Sequence, residues 1–302
     1  MKSISRRIAF LVMVGSSQQE HDAEMLVDSM RDFGGAYGKC PIFVVQTDTE
    51  RLACRGLAAR GAQLVPLKMN EKYRSYPFAD KVFACAQIEK MVAGDIETLA
   101  WMNPECLVLQ PPVELELTSL QAAAVRPVHI KNVGSSANEL TNPYWSTVFK
   151  ACGLDPDEIL TVESFVDGQK IRAYFNSGTM SIRPDKGILQ VWCSDFEKLL
   201  EDKAFQETIA DDRLHRLFLH QVVFSAVLVS KLQPSEIKML PPEYGYPLHL
   251  HAKLPVERRA RAINDLVTII YEDYFHQHDW DQGITVREPV KSWLKSRLTG
   301  KH

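Results

Sequence analysis

The chain has 302 residues, of which 45% are hydrophobic and 24% are charged, and this balance excludes a disordered or collagen-like protein. Its 35 basic and 38 acidic residues give a formal net charge of −3, so the sequence lacks the basic excess that favours nucleic acid as a partner. The apolar run at residues 8–14 is too short for a signal peptide, and no stretch reaches the ~20 apolar residues of a membrane span. We therefore expect a cytoplasmic protein without a transmembrane segment.

Strands and helices are predicted to alternate through the first hundred residues. Residues 7–15 form an apolar run closed by glycine and serine, which is typical of a strand buried on both faces of a parallel sheet. The predicted elements that follow are a helix at 21–31, a strand at 41–46, a helix at 49–60, a strand at 62–67, a helix at 76–91 and a strand at 97–101. This order predicts a parallel sheet with right-handed crossovers.

The periodicity is less regular beyond residue 111. The predicted elements are a strand at 122–126, a helix at 143–152, two strands within 170–183 around a turn at Asn176-Ser177-Gly178, a helix from Ile188 to about Leu199, a buried helix at 220–232, a basic helix at 257–264, a strand at 266–271 and a C-terminal basic amphipathic helix. No repeat or linker divides the chain, so we expect a single domain over residues 1–302.

Four segments occur in one order between residues 76 and 250. They read YPFADKVFACAQIEK, WMNPECLVL, YFNSGTMSIR, and His220-Gln221 followed later by LPPEYGYP. Together they resemble the nucleotide-diphospho-sugar transferases of the GT-A fold, particularly the retaining branch with glycogenin-like and bacterial galactosyltransferase-like enzymes. The resemblance implies a Rossmann-like α/β fold whose mixed, mainly parallel central sheet is flanked by helices.

The same resemblance implies a hexosyltransferase-type reaction. A sugar would pass from a nucleotide-diphosphate sugar to a hydroxyl of an unidentified glycan, lipid or protein acceptor. Residues 1–130 would form the nucleotide-binding half, and residues 131–302 would form the acceptor-side half with the C-terminal basic helix.

The family's metal-binding D-x-D motif corresponds here to Asn103 and Glu105. Two aspartates hold a divalent cation because hard cations prefer charged oxygen ligands, whereas an amide is neutral. The family's third ligand, a histidine, is replaced by Tyr271, and the nearby His276 is the substitute candidate. We expect Mn²⁺ or Mg²⁺ to bind weakly or not at all, and an ordinary turn at residues 103–105 is an equally consistent interpretation.

The remaining site candidates are also implied by the resemblance. Gln221 would lie below the anomeric carbon, where its amide oxygen would stabilise developing positive charge, and Asn176 would bind a sugar. The predicted donor-binding residues are Asp80, Lys81, Asn103, Glu105, Ser177 and His220. Lys81 would pair with the diphosphate as a point charge, and Asp80 would contact sugar hydroxyls. Each has a structural alternative as a helix cap, a turn residue or a solvated side chain.

Several alternatives stay open. His249 and His251 stand two apart in a predicted strand, which would point both rings to one face as paired ligands do, although structural histidines are the simpler interpretation. The C-terminal basic helix would either contact an anionic membrane or cap the core. The altered acidic motif also permits a noncatalytic GT-A module that binds a nucleotide, a glycan or a protein. A nucleotidyltransferase is disfavoured because Gly15-Ser16-Ser17 is the only candidate phosphate loop after the first strand.

Overall fold

A seven-stranded sheet forms the centre of the computed structural model, which describes residues 7–155 and 159–298. The strands are β1 Ile8–Val14, β2 Ile42–Gln46, β3 Gln63–Pro66, β4 Thr98–Met102, β5 Cys106–Val108, β6 Ala123–Pro127, β7 Thr161–Glu163, β8 Lys170–Arg172, β9 Phe175–Ile182, β10 Ile237–Met239, β11 Tyr246–Pro247 and β12 Thr268–Ile270. The central sheet has the order β10-β6-β9-β4-β1-β2-β3. Only β9 runs antiparallel to its neighbours there, so the predicted mixed, mainly parallel sheet is confirmed.

Helices cover both faces of this sheet. They are α1 Ser17–Phe33, α2 Arg55–Ala59, α3 Ala79–Val92, α4 Pro143–Ala151, α5 Ile188–Glu201, α6 Lys203–Thr208, α7 Arg213–Lys231 and α8 Val290–Leu298. One core cluster joins the sheet to α3, α5 and α7, and a second joins it to α1 and α2. Burial on both faces explains the continuous apolar runs of the strands. In the part of the chain that the structure describes, every helix is too short or too polar to cross a membrane.

The chain leaves the central sheet directly after β4. Strands β4 and β5 belong to different sheets, because β5 pairs with β12 in a smaller sheet of order β11-β12-β5. The turn between the two sheets contains Asn103 and Glu105. Its position is held from both sides, since the Asn103 amide donates to Gly178 and the Tyr271 amide donates to the Glu105 carbonyl.

The predicted turn at Asn176-Ser177-Gly178 is wrong. These residues lie inside β9, and β8 and β9 belong to different sheets, with a bend between them at residue 173. The Asn176 side chain produced the misleading signal, because its Oδ1 atom accepts from the Gly178 amide at 2.6 Å as it would in a turn. A Cβ atom on Gly178 would lie 2.9 Å from this oxygen and 2.9 Å from Ile270 Cδ1, so any larger residue would force one or both side chains to move.

Other local predictions also change. The helix predicted at 49–60 is reduced to α2, because the Asp48 side chain accepts from the backbone amides of Glu50 and Arg51 and holds a turn there. His249 and His251 lie in the 3₁₀ helix Leu248–Lys253 rather than in a strand. Residues 257–264 contain short 3₁₀ turns instead of the predicted basic helix.

Helix α8 packs on α1 at the edge of the molecule. Its apolar side chains Val290, Trp293 and Leu294 are buried. Trp293 Nε1 donates to Asp32 at 2.7 Å, and Arg297 forms ion pairs with Asp28 and Asp32. The helix therefore caps the core with its apolar stripe, while Lys301 of the predicted basic segment lies outside the described residues.

Candidate active site

The candidate site lies where the carboxyl end of β4 meets α3, β9 and α7. Lys81 is in the first turn of α3, Ser177 is near the start of β9, and His220 and Gln221 are in the middle of α7. Asn103 follows β4 directly. Ligands of α/β sheets bind outside the carboxyl ends of the strands, so this is the expected edge for a substrate.

The centre of the cluster is the Lys81 ammonium group, which is 2% exposed. Its Nζ atom donates to the Ser177 carbonyl at 2.6 Å, to Ser177 Oγ at 3.0 Å and to Asn103 Oδ1 at 3.2 Å. The ammonium also lies 4.8 Å from the centre of the Trp101 ring, within the range of a cation–π contact. Burial lowers the pKa of Lys81 to about 8, because desolvation penalises the charged form.

The Asn103–Glu105 turn does not fit a divalent cation in this arrangement. Asn103 Oδ1 accepts from Lys81 and, at 2.9 Å, from Trp101 Nε1, and both of these groups can only donate. Asn103 Nδ2 donates to Glu105 Oε1 at 2.8 Å. Asn103 Oδ1 and Glu105 Oε1 are thus bound within the protein, beside a buried ammonium. Among the described residues, no three His, Cys, Asp or Glu side chains are grouped as a metal site requires.

A directed chain of hydrogen bonds connects α3, β9 and α7. His220 Nδ1 lies 3.0 Å from the Leu217 carbonyl, which can only accept, so this nitrogen carries the proton. His220 Nε2 is therefore the acceptor for Ser177 Oγ at 3.3 Å, while Ser177 Oγ accepts from Lys81. Burial and the Lys81 charge hold the pKa of His220 well below its usual range, so the ring is neutral.

Gln221 is held by a backbone amide of β9. Its Oε1 atom accepts from the Ser177 backbone amide at 3.1 Å, which sets the direction of the side-chain amide. Its role below an anomeric carbon stays a prediction. Asn176 is more accessible and lies half-buried at the start of β9.

Asp80 and Glu105 are the half-buried carboxylates beside the cluster. Asp80 Oδ1 accepts from the Lys81 backbone amide at 2.8 Å at the start of α3. Burial raises the pKa of both carboxyl groups. Their position next to Lys81 keeps negative charge close to the site's internal cation.

His276 lies apart from the predicted metal pair. It is exposed in the 3₁₀ helix Tyr274–His276 and lines a cavity of about 620 Å³ with aromatic side chains that include Phe275 and Trp280. Tyr271, at the position of the family's histidine ligand, donates its hydroxyl to Asp22 at 2.9 Å. The predicted site residues other than His276 therefore lie together at the carboxyl end of β4, whereas His276 does not belong to that cluster.

Two residues of the site were missed by sequence reasoning. Trp101 donates to Asn103 and contacts the Lys81 ammonium. Its position in an apolar strand had indicated only a core residue. Phe78 packs on His220 with 4.3 Å between ring centres. Its place next to Asp80 and Lys81 in the sequence was the only available signal for a site role.

A sequence family described as the Rhodobacterales glycosyltransferase domain matches residues 10–231, which is most of the chain and includes β4, β9 and α7. The chain belongs to this glycosyltransferase family. The family match indicates glycosyl transfer as the class of activity. A search of curated proteins finds no match.

Solved structures share the GT-A fold. The bifunctional glycosyltransferase WbbM in its apo form has a TM-score of 0.58 at 13% identity, and the match covers 98% of this chain and 52% of WbbM. The glycosyltransferase GlyE of Streptococcus pneumoniae TIGR4 has a TM-score of 0.51 at 10% identity, with 97% and 60% covered. The galactosyltransferase LgtC, solved with donor and acceptor sugar analogues, has a TM-score of 0.52 at 11% identity, with 95% and 99% covered. The TM-scores establish a shared fold and, at these identities, nothing beyond it. This chain spans 52% of WbbM and 60% of GlyE.

Proposed function

We propose that this glycosyltransferase takes a sugar from a nucleotide-diphosphate sugar and transfers it to a hydroxyl acceptor, without a tightly bound divalent cation. The observation that carries the proposal is the hydrogen-bonded cluster of Lys81, Asn103, Ser177, His220 and Gln221 at the carboxyl edge of the sheet. These residues come from separate elements, and their convergence supports the roles that the family resemblance implies.

Lys81 is the proposed source of positive charge for the diphosphate. The charged ammonium can exchange one of its three acceptors for a phosphate oxygen, because Asn103 Oδ1 keeps Trp101 as a second donor. Even without direct contact, a unit charge about 6 Å away contributes roughly 3 kcal/mol at an effective dielectric constant of about 20. A buried ammonium would thus compensate in part for the missing cation.

Gln221 and Asn176 are the proposed groups around the reacting sugar. Rotation of the Gln221 amide would release its oxygen from Ser177 and turn it toward the positive charge that develops at the anomeric carbon. Asn176 would hydrogen-bond a sugar hydroxyl from the start of β9, and its half-buried position supports this role. Asp80 and Glu105 complete the proposed donor site.

The first test is a thermal-shift screen of the protein against nucleoside diphosphates and nucleotide sugars, each with Mn²⁺ and with EDTA. A ligand that binds only the folded state raises the melting temperature. We expect one nucleotide sugar to stabilise the protein equally with and without metal. Release of the nucleoside diphosphate from that donor, measured with candidate hydroxyl acceptors, then tests transfer.

Each outcome has a separate meaning. Stabilisation that requires Mn²⁺ would contradict metal-free donor binding. Binding of a nucleotide sugar without release of a nucleoside diphosphate, for any acceptor, would favour the noncatalytic binding module. No stabilisation by any nucleotide sugar would overturn the proposed donor class.

A further inference from the structure

A cavity of about 620 Å³ lies between α1, the segment after β12 and α8, which together supply its described lining residues. This volume is within the range of roughly 300–1,000 Å³ that is typical of small-molecule sites. Part of the wall is aromatic and consists of Tyr271, Phe275 and Trp280. The ring centres of Tyr271 and Phe275 are 5.0 Å apart and those of Phe275 and Trp280 are 5.3 Å apart, so the three rings form one cluster.

The charged groups of this cavity disfavour an anionic ligand. Asp22 and Asp281 line it, and Lys295 is the one lysine or arginine among its described lining residues. Lys295 Nζ lies 3.6 Å from Asp281 Oδ2, so its charge is paired within the protein. A diphosphate here would face two carboxylates and a cation that is already paired, and like charges repel. The lining therefore favours a neutral ligand with hydrogen-bond donors.

Trp280 is the aromatic residue of the wall that is open to solvent. It is half-buried, whereas Tyr271 and Phe275 are buried. The Trp280 backbone carbonyl accepts from the Tyr274 hydroxyl at 2.9 Å, and the Phe275 ring contacts the indole edge-on at 88°. An aromatic side chain that is fixed in this way loses little conformational freedom when a ligand binds. It offers a rigid apolar face beside carboxylates that accept hydrogen bonds.

Tyr271 connects the cavity to the candidate active site. Its backbone amide donates to the Glu105 carbonyl at 3.0 Å, in the turn that also contains Asn103. Its hydroxyl donates to Asp22 at 2.9 Å, in the wall of the cavity. One residue thus contacts both places, and they are a single side chain apart, a span that a disaccharide covers.

We propose that this cavity binds a neutral sugar unit of the acceptor, an inference that rests on the proposed function and makes the acceptor a glycan. The C–H groups on one face of the sugar ring pack on Trp280, and hydroxyls at its edge donate to Asp22 and Asp281. The neighbouring unit of the same glycan receives the transferred sugar. Binding in the cavity requires neither the nucleotide nor a metal ion.

The first experiment is acrylamide quenching of tryptophan fluorescence at rising concentrations of lactose, maltose and the methyl glycosides of glucose, galactose and mannose. Trp280 is the reporter, because the other four tryptophans are at most 9% exposed: Trp101, Trp145, Trp192 and Trp293. We expect at least one of these saccharides to protect Trp280 from acrylamide in the absence of nucleotide. The matching nucleoside diphosphate should give no protection.

The second experiment measures the affinity for that saccharide by saturation-transfer NMR in four variants. Trp280→Ala and Asp281→Ala should each weaken binding about 3- to 10-fold, the range expected for a lost aromatic contact or hydrogen bond. Trp280→Phe should retain most of the affinity because an aromatic face remains. Asp279→Ala is the matched control and should bind as wild type does, because Asp279 is exposed two residues before Asp281 and is not among the described lining residues.

Other results separate the cavity from the proposed function. Protein that binds a nucleotide sugar but none of the saccharides would overturn the sugar site and leave the donor class intact. Protection of Trp280 by the nucleoside diphosphate would assign the cavity to the nucleotide instead. Wild type that binds neither kind of ligand would overturn both proposals. Melting curves show whether each variant is folded, and Asp281→Ala decides the test if Trp280→Ala unfolds.

Discussion

Lys81 shows how a single side chain can change the chemistry of a site. Its ammonium binds the oxygen of Asn103, the residue that the family resemblance places at a metal-ligand position. The positive charge is therefore covalently attached to α3 and cannot dissociate as a metal ion can. Its buried position also makes the charge dependent on pH, because burial lowers its pKa to about 8.

Lys81→Met should reduce kcat/KM for the nucleotide-sugar donor by about 10- to 100-fold. The substitution removes the charge but keeps an unbranched side chain of similar length, and a hydrogen bond to a charged group contributes about 1.5–3 kcal/mol. Steady-state kinetics on purified protein measure the effect. Lys90→Met, at an exposed position of the same helix, is the control and should leave kcat/KM unchanged. Equal activity of the two variants would refute a role for the Lys81 charge.

Donor affinity should fall about tenfold for each pH unit above pH 8, because Lys81 loses its proton there. Calorimetric titration between pH 7 and pH 10, with Lys81→Met as the comparison, measures this slope. The variant lacks the titrating group, so its affinity should be independent of pH over the same interval. A wild-type slope that persists in Lys81→Met would assign the titration to another group.

The same lowered pKa predicts that folding stability rises with pH, in the direction opposite to donor affinity. The folded-state pKa of about 8 lies below the ordinary value of 10.5, so unfolding binds a proton between these values. The contribution of Lys81 to folding stability is complete above pH 10.5 and is lost as pH falls through 8. Relative to Lys81→Met, wild type should therefore gain roughly 3 kcal/mol of unfolding free energy from pH 8 to pH 10.5, measured by urea denaturation. If the difference in unfolding free energy between wild type and Lys81→Met stayed the same from pH 8 to pH 10.5, the lowered pKa of a buried Lys81 would be contradicted.

Glu89 connects two helices of the layer that supports the site. Its carboxylate is fully buried in α3 and accepts from the backbone amides of Leu189 at 2.9 Å and Gln190 at 2.8 Å. These amides are in the first turn of α5, where a helix has no internal acceptors for its N–H groups. One side chain thus caps a neighbouring helix and fixes the distance between α3 and α5.

Glu89→Ala should lower the free energy of unfolding by about 2–3 kcal/mol, because it leaves the buried Leu189 amide and the partly buried Gln190 amide without acceptors. Glu89→Gln should lose less, since its amide oxygen still accepts from one of them. Urea denaturation gives both values. Glu71→Ala is the control, because that side chain is 76% exposed, and it should lose less than about 1 kcal/mol. Equal stability of Glu89→Ala and Glu71→Ala would show that the cap is unimportant.

The whole molecule is closed at one edge by α8, in which Lys295 and Arg297 have acidic partners inside the protein. Arg297 pairs with Asp28 and Asp32, and its guanidinium lies 4.1 Å from the centre of the Trp293 ring. Trp293 also contacts Phe33, with 5.5 Å between ring centres. This packing accounts for both the apolar stripe and part of the basic character of the helix, and it favours a structural role over membrane contact.

Trp293→Ala should lower the free energy of unfolding by about 3–5 kcal/mol, the cost typical of removing a buried tryptophan. Leu120→Ala, at a position that is 81% exposed, should have little effect. In sedimentation with phosphatidylserine–phosphatidylcholine vesicles, we expect wild type to stay in the supernatant. Co-sedimentation that disappears in Trp293→Ala while the fold is retained would instead support a membrane role for α8.

The sequence by itself determined the fold class, because burial on both faces of a parallel sheet requires continuous apolar strands, and these alternate with amphipathic helices along the chain. The order of the four motifs likewise predicted the family and almost all of the residues that cluster at the carboxyl edge. Local signals failed where a distant contact overrides them. The Asn176 turn signal is real, but pairing with β4 and β6 draws Asn176 into β9.

Only the tertiary structure decided what the site residues bind. The sequence predicted that Asn103 is a weak metal ligand, but it could not show that its oxygen is bound by Lys81, because Lys81 reaches it only when α3 packs on the sheet. The direction of the Gln221 amide depends in the same way on a backbone amide of β9. Periodicity reports which face of an element is buried, whereas hydrogen-bond partners depend on distances between elements that folding alone sets.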